Sequence, residues 1–169
     1  MAEERIAERI DANLLDVTME DLHDMPKQLY EGKITKLREK TQGQLVIKEY
    51  PTASAHSGHF KSLMNELALK KSFRPDVIFI DYLNICASSR FKGGNISSYF
   101  YVKAIAEELR GLAVEFNVPI FSATQTTRTG YVSTDIGLED TSESFGLPAT
   151  ADFMFCLLYT SDAADDNVG

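Results

Sequence analysis

The segment Pro75-Asp76-Val77-Ile78-Phe79-Ile80-Asp81-Tyr82 drives an apolar run straight into a carboxylate that nothing local neutralises. A short β-branched and aromatic run of this kind, bounded by proline, reads as a strand buried on both faces, as in parallel sheets. Val118-Pro119-Ile120-Phe121-Ser122-Ala123-Thr124-Gln125 repeats the design and ends in an amide. Between the two, Val102, Ile105, Ala106, Leu109, Leu112, Ala113 and Phe116 form one stripe at helical spacing, opened by Ser97 or Ser98 as cap. Strand, helix and strand in this order predict right-handed crossovers and a parallel sheet with helices on its faces, an α/β fold. In such sheets ligands gather beyond the carboxyl ends of the strands, which is where Asp81 and Gln125 stand.

The remaining elements follow from periodicity and breakers. Ile6, Ile10 and Leu14 recur at four-residue spacing within Glu3 to Leu15, an amphipathic helix. A second helix is expected near Met19 to Met25 and a third, strongly charged one near Lys27 to Lys40. Past Gly43, the run Leu45 to Tyr50 reads as a strand stopped by Pro51. Phe60, Leu63, Met64 and Leu67 mark a helix within His56 to Ser72, and Phe153 to Leu158 reads as a last strand.

At 169 residues the chain fits one domain, and a chain of roughly 150 residues buries about 70% of its unfolded surface, enough for an independent core. Residues 1–156 form that domain, and 157–169, with no apolar period, are expected to stay disordered. The string Leu157 to Asp165 also resembles a translated sequencing adapter, which would end the natural sequence near Cys156; resequencing the locus tests this. With no long apolar run and no basic leader, the expectation is a soluble chain of the cytoplasm with no membrane partner. A net charge of −8 argues against blanket adhesion to nucleic acid, though local loops remain able to contact it. Cys86 and Cys156 are too far apart for a metal or redox motif and read as small core residues, while His56 and His59 share a helical turn with no third ligand nearby.

Two connections leave the carboxyl edge and are too long for ordinary turns: Tyr82 to Ser97, with Arg90 and Lys92 beside Gly93-Gly94-Asn95, and the stretch from Thr126 to about Thr141, with Arg128. Cations in such loops suit phosphate contact and equally suit a solvated surface. A strand-terminal aspartate holds Mg²⁺ in nucleotidases or caps the turn after it, and a neighbouring glutamine orients water or senses a γ-phosphate or is a plain turn residue. The phosphate cradle G-x-x-x-x-G-K-S/T, which works by aiming successive backbone N–H groups at phosphate oxygens, does not occur in the sequence. Either the chain is not a nucleotidase or that loop lies outside it.

Together, Arg9-Ile10-Asp11-Ala12-Asn13-Leu14-Leu15-Asp16, Ile78-Phe79-Ile80-Asp81-Tyr82-Leu83-Asn84-Ile85 and Val102-Lys103-Ala104-Ile105-Ala106-Glu107-Glu108-Leu109-Arg110 resemble the replicative DNA helicases of T4-type bacteriophages, within the DnaB-like hexameric helicases. The likeness runs from Met1 to about Phe155. It implies a RecA-like P-loop NTPase core lacking its first strand and phosphate-binding loop, using ATP and Mg²⁺. Asp81 matches the Walker B aspartate, which holds the metal. Gln125 matches the glutamine of the Ser-Gln-x-x-Arg motif, a γ-phosphate sensor linked to DNA contact, with Arg128 in its arginine position and Thr124 in place of the usual serine. Glu143-Ser144 and Ala151-Asp152 match the last family motif near a DNA-facing loop, where Ser142 and Phe145 depart from the common arginine and glycine. With the loop cations Arg90 and Lys92 read above, Arg128, Glu143 and Ser144 are the candidate DNA contacts.

The same resemblance puts the family's water-activating glutamate one position before Met1 and its arginine finger after the last strand. The 169 residues alone are therefore expected not to hydrolyse ATP. When whole, the protein would be a homo-hexameric ring around single-stranded DNA in an infected bacterium's cytoplasm, moving 5′ to 3′ and served by a primase and a helicase loader. Two other classes stay open. One is a RecA-like module that only binds DNA or a partner; the other is a phosphoacceptor receiver using Asp81 with Ser122 or Thr124, although the acidic pair and lysine it needs are missing.

Overall fold

The computed structural model describes residues 2–91, 96–125, 146–155 and 157. The chain divides into two compact units, Met1–Pro51 and Thr52–Gly169.

The first unit is helical. α1 spans Glu3–Leu15, with Glu3 and Glu4 in the first turn, where the positive end of the helix dipole favours them. Asp16, left-handed at φ 53°, ends it, its N–H turning back to the Ala12 and Asn13 carbonyls. A capping box opens α2 (Met19–Asp24): Thr18 Oγ1 accepts from the Asp21 N–H at 3.0 Å, and the Asp21 carboxylate accepts from the Thr18 N–H at 3.4 Å. α3 covers Lys27–Lys40 and carries Arg38 and Lys40 in its last turn. The Tyr30 hydroxyl of α3 donates to Asp11 Oδ2 of α1 at 2.6 Å, and that bond, followed by partial burial, raises the phenol above its ordinary range.

α1 forms over the expected span, with Leu14 of its apolar set 51% exposed and Ala12 buried. One expectation for this unit fails. Leu45 to Tyr50 forms no strand. A strand exists only when its N–H and C=O groups find a ladder, and here the Glu49 N–H donates to the Glu3 carboxylate at 3.0 Å while Lys48 pairs with the same carboxylate at 3.5 Å.

The second unit builds the sheet. α4 (Ser57–Lys71) is opened by two imidazoles: His56 Nδ1 accepts from the Gly58 N–H at 3.0 Å, and His59 Nδ1 accepts from the His56 N–H at 3.2 Å. Gly58 has to be glycine in this arrangement, since a Cβ there would stand 2.8 Å from the His56 ring. After α4 come β1 (Ile78–Ile80), a 3₁₀ turn at Leu83–Ile85, α5 (Ser98–Phe116), β2 (Ile120–Ser122) and α6 (Gly146–Thr150). Asn117, a residue that enters the left-handed region at low cost, ends α5 at φ 52° and delivers the chain to β2. Ser97 is the N-cap of α5 as expected, but its side chain makes no capping bond.

β1 and β2 pair in parallel, Ile78 opposite Ile120, Phe79 opposite Phe121 and Ile80 opposite Ser122. The core cluster joins Val102, Ile105, Ala106 and Leu109 of α5 to Leu83, Cys86 and Leu147, with Ile80 and Tyr101 packed against it. Ile105, at 1% exposure, is its centre. Cys86 takes the core place expected of it, and burial pushes its thiol up to about 11; Cys156 lies outside the described residues. The last expected strand does not form over 153–155: those residues follow α6 with Phe153 and Phe155 exposed and no paired neighbour. Among the described residues the β–α–β unit is therefore β1, α5 and β2, with α6 packed on α5.

Candidate functional site at the strand tips

Parallel pairing brings the two strands' carboxyl ends to one edge, and bonding continues past the last paired residues. The Leu83 N–H donates to the Ala123 carbonyl at 3.1 Å, so the chains leave the sheet side by side. The Ser122 hydroxyl donates to the Ile80 carbonyl at 2.8 Å, and the Thr124 hydroxyl donates to Asn84 Oδ1, also at 2.8 Å. These cross-links hold the bases of both tips. Asp81 and Gln125 project from the edge so formed, and both are exposed. Among the described residues, no hydrogen bond or ion pair satisfies the Asp81 carboxylate, and none joins it to Gln125.

A single exposed carboxylate at a strand end fits a Mg²⁺ ion, which keeps several waters and takes one or two carboxylates together with substrate phosphates. No group of three or more potential His, Cys, Asp or Glu metal ligands converges among the described residues. The Asp81–Tyr82 peptide bond is cis.

The loop after Asp81 is held down along its first half. Ala53 N–H donates to the Ile85 carbonyl at 2.9 Å, Ala87 N–H to the Ala55 carbonyl at 2.7 Å, and Ser88 N–H to the Tyr101 hydroxyl at 3.1 Å. Beyond these, Glu108 of α5 receives the next turn. Its Oε1 accepts from the Ser88 hydroxyl at 2.6 Å and the Ser89 N–H at 3.0 Å; its Oε2 accepts from the Ser89 hydroxyl at 2.7 Å and the Ser57 hydroxyl at 2.8 Å. Partial burial alone would raise this carboxyl. The bonds from Ser88, Ser89 and Ser57 outweigh it and hold the group down to about 2, from 4.5.

Arg90 leaves this anchored turn as a half-exposed side chain and pairs with Glu107, which Lys103 also approaches at 3.9 Å. Arg90 is therefore a cation with a carboxylate already against it, and a phosphate would have to displace Glu107. Phe91, Phe100 and Lys103 line the open groove beside it. Asp152, in the last expected motif, pairs with Arg110 of α5 at 2.8 Å. Lys92, Arg128, Glu143 and Ser144 lie outside the described residues, as do Ser142 and Phe145.

Sequence reasoning found the tips and missed what fixes them. Ser122 was weighed only as a receiver hydroxyl and not as the cross-link to Ile80 that it makes; Asn84 passed as an ordinary loop residue, and Glu108 as one more charge on the polar face of a helix. The one available signal was Ser88-Ser89 in a loop otherwise short of partners, and it does not say which carboxylate answers it.

The sequence profile of the DnaB-like helicase C-terminal domain matches residues 1–167. The chain is 49% identical over 167 residues to the DnaB-like replicative helicase of Enterobacteria phage T4, covering 97% of this chain and 35% of that protein. It is 34% identical over 133 residues to a probable plasmid replicative DNA helicase of Chlamydia trachomatis, covering 76% of this chain and 27% of that one. The chain thus spans about a third of the length of these relatives. Among solved structures, an ATPase domain superposes with a TM-score of 0.75 at 19% identity, over 99% of this chain and 59% of that one. A DnaB-like replicative helicase, studied with its primase interactions, superposes with a TM-score of 0.73 at 20% identity, over 98% of this chain and 41% of that one. These neighbours carry the RecA-like ATPase fold, in agreement with the parallel β–α–β unit described above. The chain belongs to the DnaB-like helicase C-terminal domain family.

Proposed function

We propose that this chain is the part of an ATP-dependent replicative DNA helicase that carries the Walker B aspartate, Asp81, and the sensor glutamine, Gln125. The observation that carries this reading is their placement at the carboxyl ends of two adjacent parallel strands, exposed and unpartnered among the described residues, on bases locked by Ser122 and Thr124. In this reading Asp81 would hold Mg²⁺, which would neutralise charge on the phosphates of ATP, and Gln125 would sense the γ-phosphate. Arg90, Lys92 and Arg128 contact the backbone of single-stranded DNA, with Glu143 and Ser144 near the same path. The complete protein works as a homo-hexamer translocating 5′ to 3′ at the replication fork, with a primase and a loader as partners. Among the described residues no helix is long and apolar enough to cross a membrane.

A chimaera tests this directly. Placing this chain in the matching segment of the phage T4 relative should give a helicase whose DNA-stimulated ATPase survives, and Asp81→Ala in the chimaera should remove it. Gln125→Ala should spare nucleotide binding and cut the stimulation by single-stranded DNA. A chimaera in which Asp81→Ala turns over at the parent rate would end the assignment.

A second reading applies to the 169 residues alone and is favoured by the absence of G-x-x-x-x-G-K-S/T from the sequence. By themselves they bind single-stranded DNA without hydrolysing ATP, since the main phosphate-positioning element is not among them. Turnover well above background, abolished by Asp81→Ala, would overturn this. The receiver alternative falls with the family membership, and its hydroxyls are engaged elsewhere, Ser122 with the Ile80 carbonyl and Thr124 with Asn84.

A further inference from the structure

We infer that Glu108 is a positioning residue for DNA contact, fixing where the loop after Asp81 presents Arg90. This rests on the assignment of Arg90 as a DNA contact proposed above. A loop cation aids binding most when its backbone is already placed, because an unfixed loop loses conformational entropy on binding. Among the described residues, Glu108 of α5 supplies that placement by bonding directly to the turn.

The geometry is that of an anion seated in a cradle of donors. The Ser89 N–H points at both Glu108 oxygens at 3.0 Å, and the next N–H, that of Arg90, points at Oε1 at 3.4 Å. Successive backbone N–H groups converging in this way form an anion-binding concavity, and here its anion is the protein's own carboxylate. Two hydroxyls of the same turn, of Ser88 and Ser89, bond to it as well, and Ser88 Oγ also accepts from the Arg90 N–H at 3.1 Å. Ser88 is buried at 6% exposure, so its hydroxyl depends on a partner within the protein. Ser57, at the start of α4, donates to Glu108 Oε2 as well. One carboxylate therefore joins the α4 terminus, the middle of α5 and the turn that carries Arg90.

Its neighbour has the opposite sign of effect. Glu107 holds the Arg90 guanidinium and lies near Lys103, so it competes with any phosphate for both cations. Adjacent glutamates thus divide the work: Glu108 places the Arg90 backbone, and Glu107 occupies its charge until DNA replaces it.

The experiment compares the 169-residue wild-type chain with Glu108→Ala, Glu108→Gln and Glu107→Gln. Amide hydrogen exchange is read by NMR, and binding of a fluorescent oligo(dT) by anisotropy across a KCl series. In Glu108→Ala, exchange at Ser89 and Arg90 should quicken about tenfold or more, as expected for loss of hydrogen bonds to a charged acceptor. Protection at Ile105, Leu109 and Leu112 should persist. Oligo(dT) affinity should fall, and the salt slope should shrink by about 0.7, the value of one phosphate contact on a single strand. Glu108→Gln, which keeps the shape and loses the charge, should lie between wild type and alanine, and it carries the test if the alanine variant unfolds. Glu107→Gln should bind more tightly with Ser89 and Arg90 exchange unchanged, which a purely structural pair of glutamates would not produce.

Unchanged Ser89 and Arg90 exchange in a folded Glu108 variant overturns the positioning role. Quickened exchange with unaltered affinity and salt slope overturns its link to DNA. If the wild-type chain fails to bind oligo(dT), the DNA reading itself fails for this chain, while amide exchange still decides whether Glu108 anchors the turn.

Discussion

Two carboxylates in the sheet-bearing unit are treated in opposite ways. Asp81 ends β1 exposed, with no described residue donating to it, whereas Glu108 accepts from three hydroxyls and from the Ser89 N–H. A carboxylate surrounded by donors has its charge satisfied by the fold and can act on a ligand only through the fold. A bare one keeps its lone pairs for something that arrives, at the cost of contributing little to stability. The contrast separates a residue kept for a ligand from one that shapes the surroundings of that ligand.

The comparison can be broken or sharpened by substitution, beginning with what both regions rest on. Ile105 is the most buried side chain and packs under the 3₁₀ turn after Asp81 and along the same helix as Glu108. Ile105→Ala should cost about 2–5 kcal/mol in urea unfolding, the range for truncating a large core aliphatic. A loss well below that would mean the cluster is not a shared foundation.

Glu108→Ala should come next, at about 1–3 kcal/mol, because it leaves the buried Ser88 hydroxyl and a backbone N–H without their acceptor. Equal stability of Glu108→Ala and wild type would erase the distinction from Asp81.

Acid should reveal the same asymmetry. The Glu108 carboxyl is lowered in the folded state, from 4.5 to about 2, so its contribution is fully present above pH 4.5 and is lost as pH falls toward 2. Wild type should therefore lose stability more steeply than Glu108→Gln between those limits, by an amount reduced by solvent screening of this partly buried group. Parallel curves would remove the electrostatic part of the anchor.

The smallest effect belongs to Asp81. Asp81→Asn should change stability by no more than about 0.5 kcal/mol, as for an exposed side chain without partners, while removing the carboxylate that the proposed metal requires. A larger loss would show that the fold, rather than a ligand, is what Asp81 serves.

Much of the secondary structure was legible because it is written locally. The helix over Glu3–Leu15 coincides with the periodicity that predicted it and Lys27–Lys40 with the expected charged helix, and Ile78–Ile80 and Ile120–Ser122 lie within the apolar runs that predicted strands. The failures share one cause. Leu45 to Tyr50 and Phe153 to Phe155 have strand-like composition, but strands require neighbours, and composition says nothing of whether one is present. The candidate site divides in the same way. Asp81 and Gln125 were visible because each closes an apolar run; Asn84, Ser122 and Glu108 were not, since their meaning lies in partners far along the chain.

By itself the sequence determined that there would be two apolar strands with polar ends, a long apolar-faced helix between them, and a family resemblance carried by those segments. These are consequences of residue order over a few turns or a few strand positions, where periodicity acts. Composition alone read both strand faces as buried, whereas Phe79 and Phe121 are 72% and 45% exposed among the described residues. Only the tertiary structure decided that β1 and β2 pair directly, and that Thr124 reaches Asn84 across 40 residues. It also decided that Glu108 closes on Ser57 and Ser88, 51 and 20 residues away. A carboxylate has no preferred partner until folding brings donors within about 3 Å of it, so the same residue type could become Asp81, left open, or Glu108, fully engaged.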